Sequence, residues 1–124
     1  MARSKVLHAT RRQEYSGATR RILVVVATER FAARGYAGTS LDEIVAGARV
    51  TKGALYHHFS GKQALFEAAF EAVEARAARA IPEAVGDTTD PWEKARAGLR
   101  AFLAEVQDET FRRIVVQDGP AVLG

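Results

Sequence analysis

The chain contains no cysteine, which removes disulfides, thiolate nucleophiles and every zinc site that needs sulfur. Proline occurs only at Pro82, Pro91 and Pro120, so nothing in the first 81 residues forbids continuous helix. The longest wholly apolar run, Ile22 to Ala27, is six residues, against the roughly 20 that a membrane-spanning helix needs. It is also too short for a signal-peptide core, and no small-residue cleavage pattern follows it. Missing too are paired carboxylates with a cleft signature and a glycine-rich phosphate loop between strand and helix. The expectation from these absences is a soluble, cytoplasmic protein that is not an enzyme, needs no cofactor or metal and has no membrane partner.

What remains is an ordinary globular composition. The chain has 124 residues, 48% hydrophobic and 27% charged, enough for one domain or one small domain plus part of another. Alanine occurs 24 times, beside 14 Arg and 10 Glu, which favours an all-α fold. The net charge of +3 hides a polarity. Residues 1–62 hold eleven basic side chains against four acidic ones, a net of +7, whereas the remainder carries seven against eleven, a net of −4. A chain that turns one end toward a polyanion needs such a split, although a solvated basic surface has the same composition.

Along the chain, residues 1–15 are basic, lack an apolar period and end at Ser16-Gly17, and so predict a flexible arm. A first helix is expected from about Ala18 to Arg34, with Leu23, Val26, Ala27 and Phe31 on one stripe and Gly35 as its stop. Ser40-Leu41-Asp42-Glu43 reads as a capping box that starts a short helix to about Gly47, burying Leu41, Ile44 and Val45 or Ala48. Thr51 caps the next helix, whose Leu55 and Phe59 form an inward i,i+4 pair. Ser60-Gly61-Lys62-Gln63 repeats the capping pattern before a long helix through Leu65, Phe66, Ala69, Phe70, Val73, Ala77 and Ile81, which Pro82 is expected to end. After a polar linker, Asp90-Pro91-Trp92-Glu93 opens a helix with a predicted inward stripe of Trp92, Leu99, Phe102, Leu103 and Val106. A last helix is expected from about Glu109 to Gln117, broken by Asp118-Gly119-Pro120. The sum is six helices and no strand.

A short helix, a three-residue turn and another short helix, inside the half of net charge +7, is the layout of a helix-turn-helix over residues 40–59. The outward face of its second helix reads Lys52, Gly53, Tyr56 and His57. Lysine brings charge toward phosphate or guanine, tyrosine and histidine bring flat hydrogen-bonding tips, and glycine allows close backbone approach.

Thr19-Arg20, Gly35-Tyr36, Thr39 to Ile44, Thr51 to Phe59 and Lys62 to Phe66, taken together, resemble the DNA-binding domain of the tetracycline-repressor (TetR) family of bacterial transcription regulators. The resemblance covers about residues 16–76. More weakly, Arg112 to Val115 followed by Asp118 to Gly124 is similar to part of that family's regulatory domain, implying a partial C-terminal domain over residues 77–124. The resemblance implies a three-helix DNA-binding domain followed by a helical regulatory domain. It further implies a repressor that binds a palindromic operator in double-stranded DNA as a homodimer and is released by a small-molecule effector. Carried over by position, it puts Thr39 and Ser40 at a phosphate and Thr51, Lys52, Gly53, Tyr56 and His57 on the groove. His58 falls at the groove's margin, and Lys62 holds the flanking phosphate.

Three departures from the family pattern carry expectations. Arg49 stands where the turn commonly has glycine, so either a left-handed arginine costs about 1 kcal/mol or more or the turn is remodelled and tilts the reading helix. Arg30 stands where the first helix usually packs an apolar residue, so its stem must snorkel. Finally, family members continue through further helices that complete the ligand cavity and the dimer interface. A shortened chain is expected to expose the apolar stripes of its fourth to sixth helices and to lose the usual dimerisation surface.

Each site residue also has a plainer alternative. His57 and His58 are a metal pair only if a third ligand exists, and adjacent helical residues point about 100° apart. Tyr56 is an outward reader or a core aromatic, and Lys62 is a phosphate ligand or a solvated lysine. Phe66, Phe70, Trp92 and Phe102 line an effector pocket or simply pack. The basic arm from Arg3 to Arg12 follows the minor groove or is a disordered leader. From another functional class, a helical module that binds only protein through its exposed apolar stripes has the same composition.

Overall fold

The computed structural model describes the backbone of residues 2–124 and side chains from Gln13 onward. Its elements are α1 (Ala2–Arg34), α2 (Leu41–Ala48), α3 (Lys52–His58), α4 (Lys62–Val85), α5 (Pro91–Gln107) and α6 (Glu109–Phe111), then a π-helical segment (Arg112–Asp118) and α7 (Gly119–Leu123). No strand occurs among the described residues. One core holds the first four helices together: Leu23, Val26, Ala27 and Phe31 from α1, Ile44 and Ala48 from α2, Leu55 from α3, Phe59 just beyond it, and Leu65, Phe66, Ala69 and Val73 from α4. The π-helical segment adds Ile114, so the acidic half of the chain contributes to the same core.

An aromatic cluster sits where α1 ends and α4 begins. Phe31 and Phe66 meet edge to face at 5.2 Å, and Tyr36 stacks on Phe31 at 5.7 Å and meets Phe66 edge-on at 5.2 Å. Gly35 makes this possible: at φ 79° it ends α1 in the left-handed region and turns Tyr36 back over Phe31. The guanidinium of Arg113 occupies the space that a Cβ at position 35 would need.

Asp118 ties the C-terminal segment to the same corner. Its Oδ2 accepts a 2.9 Å hydrogen bond from the Tyr36 backbone N–H and lies 3.6 Å from Arg113 Nε. Gly119 follows because Phe70 leaves no room: a Cβ there would fall 2.7 Å from the phenyl Cε2.

Several expected boundaries are corrected. Helix α1 begins at Ala2, not near Ala18, so residues 2–15 are helical where an arm was expected. Arg, Ala, Gln and Glu in this stretch are good helix formers, and the single Gly17 costs only about 1 kcal/mol, too little to break the helix. The side chains of Arg3 to Arg12 lie outside the described residues.

Pro82 does not end α4, which continues to Val85 with the Gly86 N–H closing on the Pro82 carbonyl at 2.9 Å. A proline in the last turn removes one i→i−4 bond and crowds the preceding turn, but with only three residues after it little helix remains to be broken. Likewise Gly119-Pro120 does not end the last helix. The Gly119 N–H reaches the Ile114 carbonyl in an i→i−5 bond, and Pro120 falls at the start of α7, where its missing N–H costs little.

The stripe on α5 faces the other way. Trp92 is 70% exposed and Leu99, Phe102, Leu103 and Val106 are exposed as well. The helix instead lies on α4 through small residues, with Gly98 against the methyls of Ile81 and Val85. Helical spacing identifies an apolar stripe but not the direction in which it looks.

Two substitutions test this account by urea unfolding. Asp118→Ala leaves the Tyr36 N–H without its partner and is expected to cost about 1–3 kcal/mol, with an unchanged midpoint refuting the link. Arg49 adopts φ 57°, ψ 43° at the end of α2, so the turn keeps its left-handed residue. Arg49→Gly is expected to gain about 0.5–1 kcal/mol, the relief of the left-handed side chain less the added freedom of glycine when unfolded.

Candidate nucleic-acid interface

The helix-turn-helix is built from two capped helix starts and one strained turn. Ser40 Oγ accepts from the Glu43 N–H at 3.1 Å, and Thr51 Oγ1 accepts from the Ala54 N–H at 3.1 Å. In both cases the hydroxyl takes one of the N–H groups that a helix start leaves unpaired. Only half of the expected capping box forms, because the Glu43 carboxylate pairs with Arg34 Nη1 at 3.3 Å and does not reach back. Gly61 and Asp90 stand at the starts of α4 and α5 without a side-chain cap bond. Asp108, unremarked in the sequence, caps α6 through the Phe111 N–H at 2.9 Å.

Helix α3 is seven residues long, and Leu55, with no exposed surface, anchors it together with Phe59. Burying those two turns Lys52, Gly53, Tyr56 and His57 outward; Tyr56 is 52% exposed. Nothing among the described residues requires Gly53, since a Cβ there would meet only Thr51 Oγ1 at 3.9 Å.

Lys52 is not free. Its Nζ lies 2.7 Å from Asp42 Oδ1, and that hydrogen bond and the carboxylate's charge hold its pKa above the ordinary lysine value. His58 is half-buried beside His57 at a ring separation of 5.0 Å. Burial first, then the neighbouring His57 and Arg20, lowers its pKa, so it is neutral near pH 7. No cluster of three or more metal-ligating side chains occurs among the described residues.

Thr39 departs from its expected place at a phosphate. It is buried, and its hydroxyl donates to the Gly35 carbonyl at 2.8 Å with the Arg30 carbonyl 3.2 Å away. The end of α1 has unpaired carbonyls that consume this donor, leaving none for an outside ligand. Lys62, at the first position of α4, rests its ammonium 4.3 Å from the centroid of the Tyr36 ring. Arg30 does snorkel: it is exposed, with its guanidinium lying over Gly47 of α2.

Two side chains beside α3, Asp42 and Arg20, carry no interface role in the sequence pattern. Asp42 is reachable only once α2 and α3 are docked. Arg20 of α1 lies with its guanidinium 5.1 Å from the Phe59 ring, beside His58. The adjacent helix starts were a sequence signal for the first, but nothing local marked the second.

The four expected pocket residues do not share a cavity. Phe66 is in the core, Phe70 is half-buried against Gly119, and Trp92 and Phe102 are exposed on α5. Open surface hollows occur, one of about 300 Å³ beside Trp92 and Leu99 and another of about 350 Å³ lined by Val24, Val25, Ala72, Arg76 and Arg79. No described helix is long and apolar enough to cross a membrane.

Comparison with known proteins agrees with this geometry. A family profile described as bacterial regulatory proteins, tetR family, matches residues 23–69, and one described as tetracyclin repressor-like, C-terminal domain, matches residues 92–124. TtgW of Pseudomonas putida, named an uncharacterized HTH-type transcriptional regulator, is 30% identical over 106 residues, covering 82% of this chain and 75% of that protein. The HTH-type transcriptional activator FasR of Mycolicibacterium smegmatis is 33% identical over 88 residues, 71% of this chain and 40% of FasR. A crystal structure of a TetR-family transcriptional regulator from Pectobacterium atrosepticum superposes with a TM-score of 0.76 at 38% identity, over 90% of this chain and 57% of that one. The chain thus spans about half the length of the last two. With one profile on the helix-turn-helix half, another on the C-terminal helices and the same fold across nine-tenths of its length, the chain belongs to the TetR family of bacterial regulatory proteins.

Proposed function

We propose that this chain binds double-stranded DNA as a transcriptional regulator, with the outward face of α3 in the major groove. The observation that carries this is the orientation of α3: its apolar side is consumed by the core, and Thr51, Lys52, Gly53, Tyr56 and His57 are left together on the surface of the cationic half. Ser40 and Thr51 sit at two helix starts whose remaining N–H groups point outward and suit phosphate oxygens. Lys62 flanks them from the start of α4.

Affinity in this proposal comes from phosphate neutralisation, which is independent of sequence. Preference among sequences comes from Tyr56 and His57, whose tips reach base edges. His58 stands at the margin, uncharged at neutral pH. Repression released by a small-molecule effector, and a homodimer on a palindromic operator, are the finer parts of the proposal. The relatives include both an activator and repressors by name, which supports regulation more firmly than its sign. A protein-only interaction module is not favoured by those names, although the exposed stripe of α5 is the kind of surface that it would use.

Titration of labelled duplexes at 50 and 200 mM salt tests the proposal. Binding is expected to weaken steeply as salt rises, and absence of duplex binding at both concentrations refutes it. Lys62→Ala is expected to weaken all duplexes alike, whereas Tyr56→Ala or His57→Ala changes the ranking of sequences selected from a random pool. Equal losses on every sequence for all three variants contradict the assigned roles. Gly53→Ala separates packing from function. It is expected to stabilise the fold by up to about 1 kcal/mol, because alanine is the better helix former, while weakening duplex binding by intruding on the backbone's approach. A variant that is both more stable and equally tight removes Gly53 from the interface.

A further inference from the structure

Among the described residues, Asp42 is the carboxylate that pairs with the outward face of α3. It lies in the first turn of α2, where a negative charge suits the helix start, and its side chain is 77% exposed. Lys52, at the first position of α3, reaches across to it at 2.7 Å with half of its own side chain exposed. An ion pair this open to water contributes little to folding. The two helices are already docked through Ile44, Ala48 and Leu55. The consequence of the pair is therefore electrostatic: it cancels the cationic side chain on the outward face of α3.

We infer that Asp42 is a positioning residue for DNA binding, holding and neutralising Lys52 in the free protein so that the reading face does not bind duplex indiscriminately. The inference rests on the DNA-binding reading of α3. To engage a phosphate or a guanine, Lys52 must exchange its carboxylate partner for the nucleic acid. Asp42 is then left facing a polyanion without its counter-charge. This penalty falls on every loose, charge-driven encounter, because random-sequence binding is almost wholly electrostatic. At a favoured site, base contacts made by Tyr56 and His57 offset it.

The test is a salt series on a random-sequence duplex with the whole chain, comparing wild type, Asp42→Asn, Lys52→Met and the double variant, each checked for unchanged helicity and melting. Asp42→Asn is expected to bind more tightly and to steepen the log–log salt slope by about 0.9, the release of one further counterion. That corresponds to about a threefold to fourfold greater loss of affinity between 50 and 200 mM salt. In the Lys52→Met background the same substitution is expected to have a much smaller effect. A slope that does not change, or an equal gain with and without Lys52, overturns the role of Asp42 while leaving DNA binding standing. Absence of salt-dependent duplex binding in all four proteins overturns the DNA-binding reading itself, and this inference with it.

Discussion

The molecule depends on the burial of Leu55 and Phe59. A seven-residue helix has no stability of its own in water, since isolated helices shorter than about 12–15 residues are marginal. Helix α3 exists because Thr51 caps its start and these two side chains are held by α1, α2 and α4. The same burial determines which residues look outward, so the chemistry on the surface is a by-product of packing beneath it. Tyr56 lies between the two anchors and faces away from both.

A second constraint joins the halves of the chain. Ile114 is fully buried in the core that the first four helices build, and Asp118 accepts from the backbone of Tyr36. Within the acidic half, Gln63 of α4 adds a 3.3 Å bond to the Val122 carbonyl. The cationic half and the acidic half are therefore one cooperative unit at this corner. Tyr36 is central to it: its ring lies against Phe31 and Phe66, carries the Lys62 ammonium, and its N–H is held by Asp118.

Much of this could be read from residues alone, where local rules were sufficient. The α1 stripe of Leu23, Val26, Ala27 and Phe31 is buried as its spacing implies, and Ser40 and Thr51 cap where hydroxyls precede helical runs. Errors arose where a distant group decided. Thr39 carries a side chain that suits a phosphate, yet the carbonyls at the end of α1 claim it first. Pro82 and Pro120 are breakers in isolation, but Pro120 falls at a helix start, where a missing N–H is cheap, and Pro82 falls in a last turn, where one lost bond leaves little helix to break. The direction of the α5 stripe depended on whether large or small residues made the contact with α4, and Gly98 with its small neighbours won. The Asp42–Lys52 pair spans two helices whose docking angle no local pattern reveals.

The exposed head of α5 has a practical corollary. The chain has a single tryptophan, Trp92, and water already surrounds most of it in the folded state. Its emission should therefore start at long wavelength and shift blue only when something settles on that helix. Melting of the fold would change the indole's surroundings little, because water already surrounds most of it. One chromophore thus reports on cover over the acidic half, with little optical background from the cationic one.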